Sequence, residues 1–146
     1  DKYQGVKHEI QKLKNKKITS NDISKIIIKI RNYKLPNPEK IGNCGSFFKN
    51  PIVSEKDLKY ILMKNKNAIY YKEKENKYKI SAGWLIENCG FKKIKINNVS
   101  VYEKHALVIV NLGTKSGKDI ENFYHKIQKE VFKRYQVKLI PEVNII

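Results

Sequence analysis

Residues 42–51, GNCGSFFKNP, place two glycines before two phenylalanines and a closing proline. Glycine reaches backbone conformations that other residues avoid and leaves room for a close neighbour. The stretch therefore predicts a turn that leads into a short strand, with its backbone unusually close to another group. Ser46 is a candidate ligand contact in this turn, although a serine that bonds its own backbone is the commoner arrangement. No G-x-S-x-G elbow surrounds it, which argues against a hydrolase.

The chain after this stretch predicts short strands separated by helices, with no internal repeat. Ser54 and Asp57 have the spacing of a capping box and predict a helix over residues 54–65. Further predicted elements are strands at 68–71 and 77–81 around the charged loop KEKEN, a helix at 82–88 closed by Gly90, a turn at Asn97 and Asn98, and a buried strand at 106–110. Tyr70 and Tyr71 are expected to be packing residues.

The last third of the chain predicts a long helix and a final strand. Ser116 is expected to cap a helix that continues through about Tyr135. The buried side of this helix is expected to contain Ile120, Phe123, Ile127, Val131 and Phe132. The last strand is predicted over residues 137–146. This order of elements indicates an α+β fold, with a small, mostly antiparallel sheet and helices packed on one face.

A separate helix is predicted before the main domain. Residues 20–32, SNDISKIIIKIRN, have Ser20 as the expected N-cap and isoleucines on one face. Two prolines in KLPNP, residues 34–38, end the helix because they remove donors and restrict the residues before them. We therefore divide the chain into residues 1–35, a remnant of a preceding region with one amphipathic helix, and residues 36–146, the main domain.

Length and composition fit one ordinary domain. The chain has 146 residues, of which 40% are hydrophobic, enough for one core. No run of about 18 apolar residues could span a membrane, and the first residues lack the apolar region of a signal peptide. Cys44 and Cys89 lie far apart without a Cys or His cluster, so neither a zinc site nor a disulfide framework is indicated. We expect a cytoplasmic protein with reduced thiols and no metal.

The formal net charge of +17 favours a polyanionic partner, such as nucleic acid or a phosphorylated ligand. However, Arg31 and Arg134 are the only arginines, and arginine is the side chain best suited to bidentate phosphate and guanine contacts. The lysines are scattered, and abundant lysine, asparagine and isoleucine are typical of an AT-rich genome. We therefore rank mutational bias above a nucleic-acid-binding module, which stays as the alternative from another functional class.

Four other residues could belong to a site, and each has a plainer interpretation. In a final strand, Glu142 would lie between apolar neighbours, where partial burial would raise the pKa of its carboxyl, although an exposed edge position is commoner. Lys34 and Lys92 lie in predicted loops where an ammonium could meet a phosphate, but the chain has 31 basic residues. His105 precedes a buried strand and is as readily structural as ligand-binding.

Five motifs in order resemble the UDP-N-acetylenolpyruvoylglucosamine reductase family. They are GNCGSFFKNP at 42–51, KISAGWLIENCGFK at 79–92, VYEKHALVIVN at 101–111, SGKDI at 116–120 and IPEV at 140–143. The resemblance covers roughly residues 33–146. It implies the substrate-binding C-terminal domain and the strand after it, without the flavin-binding region. Cys44 departs from the small residue usual at its position, and Lys93 departs from the glycine common after Lys92.

The resemblance also implies roles for individual residues. Ser46 takes the position of the family's proton-donating serine, and Glu142 takes that of its catalytic glutamate. Contacts to the nucleotide-sugar or the nicotinamide cofactor are implied at Lys34, Asn50, Lys92 and His105. The implied cofactors are FAD, held mainly by the flavin-binding region, and NADPH. The implied substrate is UDP-N-acetylglucosamine enolpyruvate, which is reduced to UDP-N-acetylmuramate for peptidoglycan.

On this interpretation the chain is part of a flavoenzyme and is inactive without its flavin domain. Neither nucleic acid nor a membrane is an expected partner. A stand-alone binder of UDP-sugars is a further alternative.

Overall fold

The computed structural model describes residues 4–11 and 18–145. These residues form seven strands and five helices with their connections. In chain order they are α1 (Gln4–Gln11), α2 (Ser20–Lys34), β1 (Gly42–Ser46), β2 (Ile52–Ser54), α3 (Glu55–Lys64), β3 (Tyr70–Lys74), β4 (Lys77–Ile80), α4 (Ala82–Asn88), β5 (Lys95–Ile96), β6 (Val99–Tyr102), β7 (His105–Asn111) and α5 (Gly117–Tyr135). A 3-10 turn, Phe91–Lys93, follows α4. Among these residues no helix is long and apolar enough to cross a membrane.

The strands form two sheets in which every pair is antiparallel. One sheet has the order β1-β7-β6-β5, and the other has the order β2-β4-β3. Helix α4 packs against β7, and α5 packs against β6. The predicted α+β class is confirmed. Its strands are divided between two sheets because β2 pairs with the β3–β4 hairpin and does not continue the ladder of β1.

One apolar core joins both sheets to helices α3, α4 and α5. Phe48 and Phe123 are among its fully buried side chains. The ring centroids of Phe47 and Phe48 lie 5.1 Å apart, and Phe47 lies at the same distance from Tyr124 of α5. Large aromatic side chains contribute much of the free energy gained by burial. The two phenylalanines of residues 42–51 therefore fix this stretch to the long helix.

A β-bulge interrupts β1 directly before Ser46. Asn43 pairs with Val110 of β7. Three residues further on, Ser46 pairs with Val108, only two residues back along β7. Gly45 has φ +75°, a conformation that residues with side chains rarely adopt. The predicted turn is thus a bulge within the strand. The predicted close approach is absent at Gly45, where an added Cβ would meet nothing within 4 Å among the described residues.

Two of the predicted connections are confirmed and one is shorter than predicted. Asn97 and Asn98 have φ +47° and +59° and connect β5 to β6, and Gly90 ends α4 with φ +84°. The predicted charged loop KEKEN is largely strand, because β3 continues to Lys74 and pairs with β4. Only Glu75 and Asn76 remain in the turn.

Helix capping follows the spacing of acidic residues. The predicted box of Ser54 and Asp57 at the start of α3 is confirmed. At α2 the predicted N-cap is wrong by one residue, since Thr19 and not Ser20 caps the helix. Thr19 Oγ1 accepts from the Asp22 backbone N–H at 3.3 Å, and an Asp22 carboxylate oxygen accepts from the Thr19 backbone at 3.0 Å. A capping box needs the acid three residues after the cap, a spacing that Ser20 does not have.

The start of α5 uses other side chains than predicted. Ser116 occupies the N-cap position, but its hydroxyl makes no capping hydrogen bond. Thr114 Oγ1 instead donates to an Asp119 carboxylate oxygen at 2.5 Å, and Asn97 Nδ2 donates to the other at 2.8 Å. These hydrogen bonds lower the pKa of Asp119 and connect the β5–β6 turn to the helix.

The predicted final strand is reduced to one isolated bridge, between Phe48 and Pro141. The Lys49 N–H donates to the Ile140 carbonyl at 2.9 Å, and the Glu142 N–H donates to the Phe47 carbonyl at 2.8 Å. Pro141 has no N–H to continue the ladder. The prediction of a strand over 137–146 is therefore wrong, and its last residue lies outside the described residues.

The predicted buried side of α5 holds for Phe123, Ile127 and Val131 but not for Phe132, whose side chain is 51% exposed. Adjacent helical residues point about 100° apart, so Phe132 lies beside the stripe that Val131 occupies.

We expect Phe48→Ala to lower the free energy of unfolding by about 3–5 kcal/mol, because it leaves a cavity among buried rings. Phe132→Ala is the matched control and should cost less than about 1 kcal/mol, since the ring is half exposed. Urea unfolding followed by the fluorescence of Trp84, the single tryptophan, measures both. Similar losses for the two variants would contradict this arrangement of the core.

Candidate functional site

A cleft of about 500 Å³ opens between the two sheets and the end of α2. Four of the residues singled out from the sequence line it: Lys34, Ser46, Asn50 and His105. Its other walls come from the β3–β4 hairpin, the start of α4 and strand β7. A volume in this range suits a small organic ligand. The cleft therefore collects residues from positions that are distant in sequence.

Ser46 reaches this cleft from the end of β1. The next residue, Phe47, donates its N–H to the Leu107 carbonyl at 2.9 Å, which fixes the backbone beside β7. The Ser46 hydroxyl makes no hydrogen bond to any of the described residues, so it does not act as a turn serine bonded to its own backbone. A half-buried hydroxyl without a protein partner is available to a ligand.

Asn50 has a structural contact in the same cleft. Its side-chain oxygen accepts from the Ala82 backbone N–H at 2.8 Å, at the first turn of α4. The hydroxyl of Ser81 accepts from the Trp84 N–H at 3.2 Å in that turn. Because the Asn50 oxygen faces the helix, its amide nitrogen is the atom that remains to donate to a ligand.

His105 lies half-buried where β7 begins. Its Nδ1 accepts from the Leu107 backbone N–H at 3.4 Å. Burial lowers the pKa of His105, and the nearby ammonium groups of Lys34 and Lys92 lower it further. The imidazole is therefore neutral at neutral pH.

Lys92 and Glu142 do not line the cleft. Lys92 forms an ion pair with Glu87 of α4 at 2.8 Å, although it is close enough to act on His105. The backbone N–H of Glu142 donates to the Phe47 carbonyl, but the Glu142 side chain is exposed. The partial burial considered for Glu142 is therefore not found in the described structure, because no final strand forms around it.

Sequence reasoning missed two residues of the cleft wall, Tyr71 and Lys79. They are opposite each other in the β3–β4 pairing, and Lys79 forms an ion pair with Glu73 at 2.8 Å. The prediction that Tyr70 and Tyr71 are packing residues holds only in part: Tyr70 packs edge-on against Tyr78, with ring centroids 6.0 Å apart, but both tyrosines are more than a third exposed and Tyr71 lines the cleft. A hairpin alignment of the two strands would have placed Tyr71 beside Lys79, but nothing in composition separates Lys79 from the other lysines.

The cleft is suited to an anionic ligand. Lys34, Lys79 and His105 provide a cationic or donating wall, while Ser46 and Asn50 provide neutral donors. Ammonium groups and oriented donors of this kind bind phosphates. The sequence contains no G-x-G-x-x-G phosphate loop, so the donor set suits a ligand held by side chains.

The sequence is similar to one protein family and to individual members of it. The family described as "UDP-N-acetylenolpyruvoylglucosamine reductase, C-terminal domain" matches residues 37–146. A UDP-N-acetylenolpyruvoylglucosamine reductase from Flavobacterium johnsoniae is 42% identical over 128 residues, 88% of this chain and 38% of that protein. Proteins of the same name from Polynucleobacter asymbioticus and Blochmanniella floridana are 46% identical over 120 residues and 41% identical over 145 residues. These matches cover 82% and 99% of this chain but only 35% and 41% of the relatives' length.

We expect Asn50→Ala to lower the free energy of unfolding by about 1 kcal/mol, because the Ala82 N–H loses its acceptor. Asn50→Asp keeps an acceptor at the same place and should stay within about 0.5 kcal/mol of the original chain. Urea unfolding of the three proteins tests the contact. Equal stability of the alanine and aspartate variants would contradict a capping role for Asn50.

Proposed function

This chain belongs to the family of the UDP-N-acetylenolpyruvoylglucosamine reductase C-terminal domain, and on that premise we propose that it supplies the substrate-binding part of such a reductase. The whole enzyme would convert UDP-N-acetylglucosamine enolpyruvate to UDP-N-acetylmuramate during peptidoglycan precursor synthesis in the cytoplasm. The observation that carries the proposal is the convergence of Lys34, Ser46, Asn50 and His105 on one cleft.

The cationic wall of the cleft is proposed to hold the diphosphate of the nucleotide-sugar. Lys34 and Lys79 offer ammonium groups, and the amide nitrogen of Asn50 and the ring of His105 offer further hydrogen-bond donors. Lys79 would exchange its ion pair with Glu73 for the ligand phosphate. NADPH is also a diphosphate and would occupy the same wall in turn.

The flavin is proposed to be bound mainly by residues outside this chain. The described residues do not fit its phosphates, because the sequence has no glycine-rich phosphate loop, and the cations of the cleft are proposed to bind the nucleotide-sugar. A bound flavin supplies hydride chemistry.

We infer that residues 1–35 belong to the preceding region and that residues 36–146 form the substrate-binding domain and the segment after it. Residues 1–3 and 12–17 of the first part lie outside the described structure.

Ser46 is proposed to deliver the proton that completes the reduction. A hydride added to the terminal carbon of the enolpyruvyl group leaves negative charge on the adjacent carbon and its carboxylate. That carbon needs a proton from a nearby donor, and the Ser46 hydroxyl has no competing protein partner among the described residues. The fixed backbone between β7 and the C-terminal segment holds this hydroxyl in place.

Glu142 is proposed to act on the same intermediate as a carboxylic acid near its oxygens. Its backbone N–H donates to the Phe47 carbonyl, one residue after Ser46, so the backbones of Glu142 and Ser46 lie close together. Because the carboxyl is exposed in this chain, the burial that favours its protonated form has to come from the substrate and the flavin-binding region. Lys92 is proposed to contact the ligand from the edge of the cleft once it leaves Glu87.

We expect Ser46→Ala to slow the reduction of the enolpyruvyl group by roughly 10²–10⁴-fold and to leave the reduction of flavin by NADPH nearly unchanged. The first half-reaction needs no proton at the substrate carbon, whereas the second does. Glu142→Gln should show the same asymmetry. The test joins this chain to the flavin-binding part of the Flavobacterium johnsoniae relative and follows flavin absorbance in stopped flow for each half-reaction.

Two controls accompany these variants. Ser116→Ala removes an exposed hydroxyl that makes no capping hydrogen bond and should change neither half-reaction. The 146-residue chain alone should retain no flavin after gel filtration. If Ser46→Ala and Glu142→Gln slowed both half-reactions equally and lowered the melting temperature, the two residues would be structural and not catalytic.

A further inference from the structure

His105 faces charged groups from several elements, and nearly all of them are cations. Lys34 at the end of α2 and Lys92 of the 3-10 turn act on its ring directly. Glu87 of α4 forms an ion pair with Lys92 at 2.8 Å. Ser46 of β1 and, from the β3–β4 hairpin, Tyr71 and Lys79 share its cleft, and Lys79 is paired with Glu73. Tyr102 of β6 is the partner of His105 in the ladder.

The turn before His105 holds one charge of each sign. Glu103 and Lys104 are both exposed there, and the Lys104 ammonium lies 4.4 Å from the centre of the Tyr33 ring. Neither residue contributes to the lowered pKa of His105. No carboxylate is thus placed to stabilise a charged His105 among the described residues.

The hydrogen bond to Leu107 determines which ring nitrogen faces a ligand. Because Nδ1 accepts from the Leu107 N–H, the proton of the neutral ring lies on Nε2. Protonation of Nδ1 would break this long, 3.4 Å contact and place a charge beside two ammonium groups. A diphosphate bound in the cleft would instead favour the protonated ring of His105, because its negative charge would lie close to that ring.

We propose that a nucleotide diphosphate ester binds this cleft together with a proton taken up by His105, so that affinity rises as the pH falls through the range in which histidine titrates. The inference rests on the proposed function, because it takes the cleft to be the diphosphate site. It adds that the ligand's affinity depends on pH through one identified side chain. An ordinary histidine titrates near pH 6.5. Burial and the two ammonium groups lower the pKa of His105, so its ring stays neutral to a lower pH.

UDP-N-acetylglucosamine is the probe, because both of its phosphates are esterified and keep their charge between pH 5.5 and 8. Its affinity for the 146-residue chain is measured by calorimetry across this range, while the histidine ring signals are followed by NMR. The chain has only three histidines, so His8 and His125 are internal references. We expect the probe to raise the pKa of His105 alone, and the affinity to increase about fivefold from pH 7.5 to pH 5.5 for a change of one pKa unit.

His105→Gln should bind the probe with nearly constant affinity over the same range, because the amide keeps a donor but does not titrate. His125→Gln, an exposed change on α5, should keep the full pH dependence. Binding that is independent of pH in the original chain, or pH dependence that survives in His105→Gln, would overturn the inference and leave the proposed function intact. Absence of binding by the folded chain at every pH would overturn both.

Discussion

The backbone of Phe47 and Lys49 is the point on which the rest of the structure depends. On one side Phe47 donates to Leu107 of β7, and on the other its carbonyl accepts from Glu142, while Lys49 donates to Ile140. This stretch is thus hydrogen bonded between a central strand and the C-terminal segment. Its two phenylalanine rings enter the core at the same place. The position of Ser46 at the edge of the cleft follows directly from this double attachment.

The cleft gathers positive charge, and no Asp or Glu is among the described residues that line it. Lys79, one of its cations, is paired with Glu73. Burial and the nearby ammonium groups disfavour a positive charge on His105. An anionic ligand would be attracted by these cations, and donors such as the Asn50 amide would add hydrogen bonds to it.

The sequence predicted the elements whose signals are local. The capping box at Ser54 and the paired asparagines of the β5–β6 turn depend on neighbouring residues, so their patterns are readable. The prediction of a final strand was wrong because Pro141 lacks the N–H donor that a continued ladder needs. The site was predicted only in part: the resemblance singled out Ser46 and His105, whereas Lys79 depends on how two strands align in a hairpin. A single sequence also does not reveal that this hairpin lies beside Lys34, Ser46 and His105, which come from distant segments.

The attachment of Phe48 to Pro141 also matters for how the chain is made. The two residues are separated by about 90 positions, and synthesis proceeds at roughly 5–20 residues per second, so Phe48 waits on the order of ten seconds for its partner. Leu139, fully buried in the core, arrives equally late. Until then the aromatic rings of residues 47 and 48 have an incomplete cover. The native packing of these two rings is therefore completed only after residues 137–142 have emerged.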